Sequence, residues 1–233
     1  MLGIIGVLLL TAVIAYLWGS IPSGYWMGKL LRGRDFDIRS YGSHKTGATN
    51  VRRTLGNGPA LLVFLVDLSK GIGPALIATL VPFLYIGGWG PTVAGLAALL
   101  GHCFPVFIGF KGGRGVSTGA GTVLVLSPFT VLVAAITTFS TMAIWRYVSL
   151  GSIVGGVTVM LCGIIFFLIG RSDPTFFAHV GFPQLVFMLI GPALVIFFHY
   201  DNIRRLLAGT ESRLGQKPSV PTSTPVAADE STR

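Results

Sequence analysis

Between Asp37 and Arg53 the chain reads DIRSYGSHKTGATNVRR, which sets Ser43, Thr46, Thr49 and Asn50 around Gly42 and Gly47, flanked by Arg39, Lys45, Arg52 and Arg53. Glycines let backbone N–H groups approach an anion closely, hydroxyls and amides donate to its oxygens, and arginine grips it with two N–H groups at once. That inventory suits a phosphate. A second cluster, FKGGRGVSTGAG over 110–121, brackets Gly112 and Gly113 with Lys111 and Arg114 and continues through Gly115, Ser117 and Thr118. A glycine-rich turn entering a helix presents unbonded N–H groups and the positive end of the helix dipole, both of which attract anions. The third cluster, HYDNIRRLLAGTE over 199–211, places His199 and Asn202 three residues apart, on one face of a helix. Each cluster has a plainer reading as well: a basic loop on lipid headgroups, a tight turn between helices, a histidine at a membrane interface. Together they describe a site for two phosphorylated groups. Neither a Walker A loop nor an H-x-x-x-x-D pattern is present: His44, His102, His179 and His199 are followed five positions on by Thr49, Phe107, Gln184 and Arg204.

The elements that must hold these clusters are membrane helices. Of the 233 residues, 52% are hydrophobic and 11% charged, against roughly 25% charged in a soluble domain. Mean hydropathy is +0.76. The net charge of +9, from 17 Lys and Arg against 8 Asp and Glu, would suggest nucleic acid in a soluble protein; here it fits basic loops at the inner membrane face. Cys103 and Cys162 lie in apolar runs and indicate neither a disulfide framework nor a thiolate metal site, and four histidines without H-E-x-x-H argue against a zinc enzyme.

No charged side chain lies in 1–28, 72–110, 115–145, 147–170 or 174–200, and a bilayer core takes about 20 residues of helix. The first run has no basic segment ahead of it and reads as a retained helix, not a signal peptide. Gly87-Gly88-Trp89-Gly90-Pro91 divides the second run. Seven spans are expected, near 2–28, 59–82, 92–110, 113–127, 129–146, 147–170 and 184–200. A break at Ser127-Pro128 decides the number. It puts Arg32, Arg34, Arg39, Lys45, Arg52, Arg53, Lys111, Arg114, Arg146 and the basic residues after Asp201 on one side and leaves Arg171 on the other, as the positive-inside rule prefers. Six spans would split those residues between two compartments. The N-terminus is then outside and the C-terminus cytoplasmic, and the short fourth span must be shielded by protein. Asp67 and Lys70, within the second span, read as a structural pair across one helical turn. The expected fold class is an all-α polytopic membrane protein: one transmembrane catalytic domain over 1–213, then a Pro/Ser/Thr-rich disordered cytoplasmic tail over 214–233.

The stretches GSIPSGYW, DIRSYGSHKTGATNVRR, DLSKG, GHCFPVFIGFKGGRGVST, WRYVSLGS and HYDNIRRLLAGTE, in this order, resemble the motifs of the bacterial membrane glycerol-3-phosphate acyltransferases that use acyl phosphate, the PlsY family. The resemblance runs from about Gly19 to Glu211. It implies a plasma-membrane enzyme with its site facing the cytoplasm. The implied reaction moves an acyl group from acyl phosphate to glycerol 3-phosphate, giving 1-acylglycerol 3-phosphate and phosphate, the first acylation of phospholipid synthesis. No cofactor, metal or acyl-CoA is implied. An acyl phosphate is already activated, so the enzyme needs mainly to orient two anions and neutralise their charge. Carried over by resemblance, Ser43, Arg53, Lys111, His199 and Asn202 are the catalytic set that binds glycerol 3-phosphate and assists transfer. Gly47, Thr49 and Asn50 hold the acyl-phosphate group, and Gly112, Gly113 and Arg114 complete the substrate-binding set. The general base is open between His199 and the donor's own phosphate. The chain departs from the family's usual G-S-G-N at Gly42-Ser43-His44-Lys45, from its usual Lys at Arg114, and from its usual Arg at Tyr200. The first departure is expected to alter the local backbone and adds a charge at Lys45. The alternative class is a transporter of a phosphorylated metabolite, with a mid-membrane site and an internal repeat; no repeat is evident in the sequence.

Overall fold

The computed structural model describes residues 3–216; positions 217–233 of the expected tail lie outside the described residues. Every regular element among the described residues is helical. α1 (Ile4–Gly19) and α2 (Ser23–Arg32) are one apolar run interrupted at Ile21-Pro22, where proline supplies no N–H to the helical ladder. A 3₁₀ turn, Ile38–Ser40, is capped by the Asp37 carboxylate on the Arg39 N–H and leads towards α3 (Ala48–Leu55). α4 (Asn57–Leu80) and the single turn α5 (Pro82–Tyr85) follow. Positive φ at Ile86, Gly87 and Gly88 then reverses the chain into α6 (Trp89–Cys103), at the division expected from the glycines. α7 (Val116–Leu126) stops where Ser127 turns extended and Pro128 opens α8 (Pro128–Trp145). α9 (Val148–Ser172), α10 (Phe182–Phe198) and α11 (Tyr200–Leu207) are the remaining helices among the described residues.

All seven expected segments are therefore helical. Five helical runs among the described residues are long and apolar enough to cross a membrane, and α10 with α11, bent by 58°, makes a sixth if counted as one span. The remaining segment, α7, has 11 residues and reaches only about 16 Å at 1.5 Å per residue.

Large apolar side chains point outwards along the bundle: Ile5, Leu61, Phe139, Leu168 and Phe197 are all more than half exposed. That surface is matched to lipid tails rather than water. Inside, the helices approach through small residues. A Cβ at Gly19 would strike the backbone of Ala98, and one at Gly101 the carbonyl of Tyr16, so α1 lies directly on α6. α4 and α7 meet the same way, with Gly71 against the carbonyl of Thr118 and Gly121 against that of Leu68. The Thr118 hydroxyl also donates to the Asp67 carbonyl at 2.9 Å. Gly71→Ala is expected to force this seam apart, lowering stability in detergent by about 1–3 kcal/mol and lowering acyl transfer with it. Thermal unfolding and turnover of the purified variant check this; a parent-like melting temperature would refute it.

Asp67 and Lys70 form the expected pair, Oδ1 to Nζ 2.5 Å, with each side chain 2% exposed. The pair is larger than the sequence suggested. Ser23 from α2 donates to the same carboxylate oxygen at 2.6 Å, and His102 Nδ1 from α6 lies 3.6 Å from it. One carboxylate thus ties α2, α4 and α6 together, and through Thr118 the Asp67 backbone holds α7.

The polar segments collect at one end of the bundle. Arg39 Nη1 donates to the Ile108 carbonyl at 2.8 Å, joining the 33–47 loop to the turn after α6. Leu214 N donates to the Arg146 carbonyl at 2.6 Å, and Arg213 Nε to the Tyr147 hydroxyl at 3.0 Å, so the segment after α11 is strapped to the α8–α9 turn. The expected domain boundary at 213 falls inside this strap.

Candidate active site

A cavity of about 700 Å³ opens among these segments. Its polar wall is built from all three sequence clusters: Ser43, Gly47, Thr49, Asn50 and Arg53 from the first, Arg114 and Ser117 from the second, His199, Asn202 and Glu211 from the third. It then continues between α7, α8, α9 and α10, where residues such as Val123, Leu132, Phe139, Met142, Val159 and Phe187 make it apolar.

The first cluster is organised by Asn50. Its Nδ2 donates to the carbonyls of Ile38, Tyr41 and Lys45 at 3.1, 3.0 and 2.8 Å, and its Oδ1 accepts from the Ser43 N–H at 2.8 Å. The amide is fully used in folding the loop, and Asn50 itself is 1% exposed. Asn50 is therefore placed to shape the loop, and the groups it leaves facing the cavity are Ser43 and the first turn of α3, Gly47, Ala48 and Thr49. The family glycine missing at position 44 has a visible counterpart: His44 sits at φ 57°, a left-handed conformation that favours glycine, with Nδ1 2.9 Å from the Arg39 carbonyl.

The second cluster divides. Gly112 and Gly113 are buried against α6, their N–H groups donating to the carbonyls of Cys103 and His102, both at 3.1 Å. A Cβ on Gly113 would collide with the His102 ring. These glycines bring the turn onto α6, and neither lines the cavity. Lys111 is exposed on the outer side of the turn and is also absent from the lining. Arg114 points inwards, and its buried Nε has no hydrogen-bond partner among the described residues. Burial pushes its guanidinium down to about 10, with Arg205 adding repulsion. Arg53 is lowered for the same first reason, burial. Both stay protonated at neutral pH.

The third cluster closes the site. His199 ends α10, is 3% exposed, and holds the Val195 carbonyl through Nδ1 at 2.7 Å. A carbonyl only accepts, so Nδ1 carries the proton and the neutral ring keeps its lone pair on Nε2. Asn202 donates through Nδ2 to Glu211 at 2.7 Å, while its Oδ1 is buried without a partner among the described residues. Glu211, the last residue of the third cluster, lines the cavity although its place in the sequence does not single it out. It also accepts from Ser149 Oγ and Arg205 Nε, both at 2.7 Å. Burial alone would raise its pKa; the donors Ser149, Asn202 and Arg205 outweigh that and hold the carboxyl below its usual range. The available signal was a lone acid closing a basic segment, paired with the serine in WRYVSLGS.

The cavity thus carries two carboxylates, Asp67 and Glu211, each already matched by protein donors, and arginines that are not matched. Such a pocket is set up for an anion with an apolar tail. The comparisons agree with that chemistry. The family described as glycerol-3-phosphate acyltransferase matches residues 9–209. A glycerol-3-phosphate acyltransferase of Thermoanaerobacter sp. (strain X514) is 44% identical, over 91% of this chain and 98% of its own. That of Parasynechococcus marenigrum (strain WH8102) is 43% identical, over 90% and 91%. The crystal structure of PlsY, an integral membrane glycerol 3-phosphate acyltransferase, in its glycerol 3-phosphate form superposes with a TM-score of 0.77 at 39% identity, over 89% of this chain and 96% of that one. Its lysophosphatidic acid form gives 0.73 at the same identity. Motif order, helical bundle and cavity all converge, and this chain belongs to the glycerol-3-phosphate acyltransferase family of membrane proteins that includes PlsY.

Proposed function

We propose that this membrane acyltransferase moves the acyl group of an acyl phosphate to glycerol 3-phosphate, with the mouth of its cavity at the cytoplasmic face. The observation that carries the reading is the unmatched charge: the Arg53 and Arg114 guanidiniums line a cavity whose carboxylates are both satisfied. Two phosphates supply what those cations lack, and the apolar extension suits an acyl chain. The glycerol hydroxyl oxygen attacks the acyl carbonyl carbon, the bond from that carbon to the phosphate oxygen breaks, and phosphate leaves with its electron pair. His199 Nε2, with its free lone pair, takes the hydroxyl proton. Arg53, Ser43 and the Asn202 Oδ1 hold glycerol 3-phosphate; Arg114 and the N–H groups at Gly47, Ala48 and Thr49 hold the phosphate of the donor. Lys111, on the outer side of its turn, reaches the substrate only by swinging in. The cytoplasmic side follows from the basic residues gathered at the cavity end.

Purified enzyme in detergent is expected to release phosphate from acyl phosphate only when glycerol 3-phosphate is added, and to form 1-acylglycerol 3-phosphate in equal amount. Activity with acyl-CoA and none with acyl phosphate would overturn the choice of donor. The transporter reading gives way to the family assignment, and no internal repeat supports it.

A further inference from the structure

Lys45 is the third cation on the cavity wall, half-buried beside Ser43 and Gly47. Its carbonyl is held by Asn50, which fixes the backbone at this position. Its ammonium takes no part in any hydrogen bond or ion pair among the described residues. The residue stands in the cavity lining with its ammonium unpaired. The carboxylates that could neutralise it, Asp67 and Glu211, are engaged elsewhere, with Lys70 and Arg205.

A phosphate monoester carries about −1.5 to −2 at neutral pH, so two phosphorylated substrates bring roughly −3 to −4 into one cavity. Arg53 and Arg114 offset only part of that. We infer that Lys45 is a phosphate ligand of this enzyme, a specificity-determining cation that tightens binding of a substrate phosphate at the mouth. This rests on the two-phosphate reading above. Lysine suits the place: a point charge on a flexible stem can follow a phosphate as it arrives or leaves, where the planar arginine fork demands a fixed geometry.

The test compares the parent enzyme with Lys45→Asn, Lys45→Gln and Lys45→Arg, varying each substrate in turn. The neutral variants should raise KM for one substrate by about five- to tenfold, with kcat within about twofold, and should flatten the salt dependence of kcat/KM. Lys45→Arg should stay near the parent. A rise confined to glycerol 3-phosphate assigns the contact to the acceptor, and a rise confined to acyl phosphate assigns it to the donor. Weaker inhibition by inorganic phosphate accompanies the donor assignment. Unchanged KM for both substrates with an unchanged salt slope overturns the inference while leaving the reaction intact. A parent enzyme that transfers nothing from acyl phosphate would instead overturn the reading on which it rests. Thermal unfolding of each variant separates lost binding from lost fold: a variant that melts like the parent yet keeps parental KM counts against Lys45.

Discussion

Arg114→Ala is expected to lower kcat/KM by about 10²–10³-fold or more while the protein still inserts and melts like the parent. The expectation follows from its environment. The side chain is half-buried, its buried Nε has no partner among the described residues, and the Arg205 charge opposes it. The protein bears a cost to keep this cation in place, and the return comes when a phosphate arrives. Removing it relieves the repulsion, so stability should hold or rise as activity falls. That opposite movement distinguishes a substrate ligand from a structural arginine. Arg53→Ala, in the same cavity lining, should behave alike, since burial lowers its guanidinium too. Arg114→Lys should recover part of the loss, because charge returns without the planar fork. Turnover measured over a range of each substrate, beside thermal unfolding, decides the matter; a parental kcat/KM in Arg114→Ala would remove the residue from the site.

The largest effect on stability is expected at Asp67. Asp67→Asn keeps the shape of the side chain but strands the Lys70 charge inside the bundle, 2% exposed, with Ser23 and His102 turned towards a neutral amide. Breaking one side of a buried ion pair costs about 3–5 kcal/mol, enough to threaten accumulation in the membrane. Removing the second charge as well should return much of the loss, so Asp67→Asn with Lys70→Met is expected to melt above Asp67→Asn alone. Heating in detergent followed by size-exclusion chromatography reads both. If Asp67→Asn proved as stable as the parent, the pair would not hold the helices together.

What was legible in the sequence was whatever is written locally. Charge-free runs marked the helices, Pro128 marked the break between α7 and α8, and the Gly/Ser/Thr/Asn clusters marked the wall of the cavity. What escaped depends on contacts between distant segments. Asn50 and Thr49 are neighbours of similar polarity, yet Asn50 spends its amide on the carbonyls of Ile38, Tyr41 and Lys45 while Thr49 faces the cavity. Lys111 and Arg114 bracket the same glycines, and only their rotation about the turn sets one outside and the other in. Glu211 gains its place through Ser149, 62 residues away in sequence, and His102 joins Asp67 across two helices. None of these partners can be read from spacing along one element.

The brevity of α7 bears on how the protein is made. An 11-residue helix of about 16 Å cannot span a hydrocarbon core of about 30 Å, so the emerging segment has no stable position in the bilayer by itself. Its anchors are Thr118 and Gly121 on α4, a helix synthesised earlier, and the helix that follows it, α8. α7 therefore enters as one arm of a hairpin with α8, onto a surface α4 has already prepared. The turn carrying Arg114 already has its own hold on α6, through the N–H groups of Gly112 and Gly113. A nascent chain halted before α8 carries the Arg114 turn but lacks the helix that shields α7 and the cavity walls that α8, α9 and α10 supply.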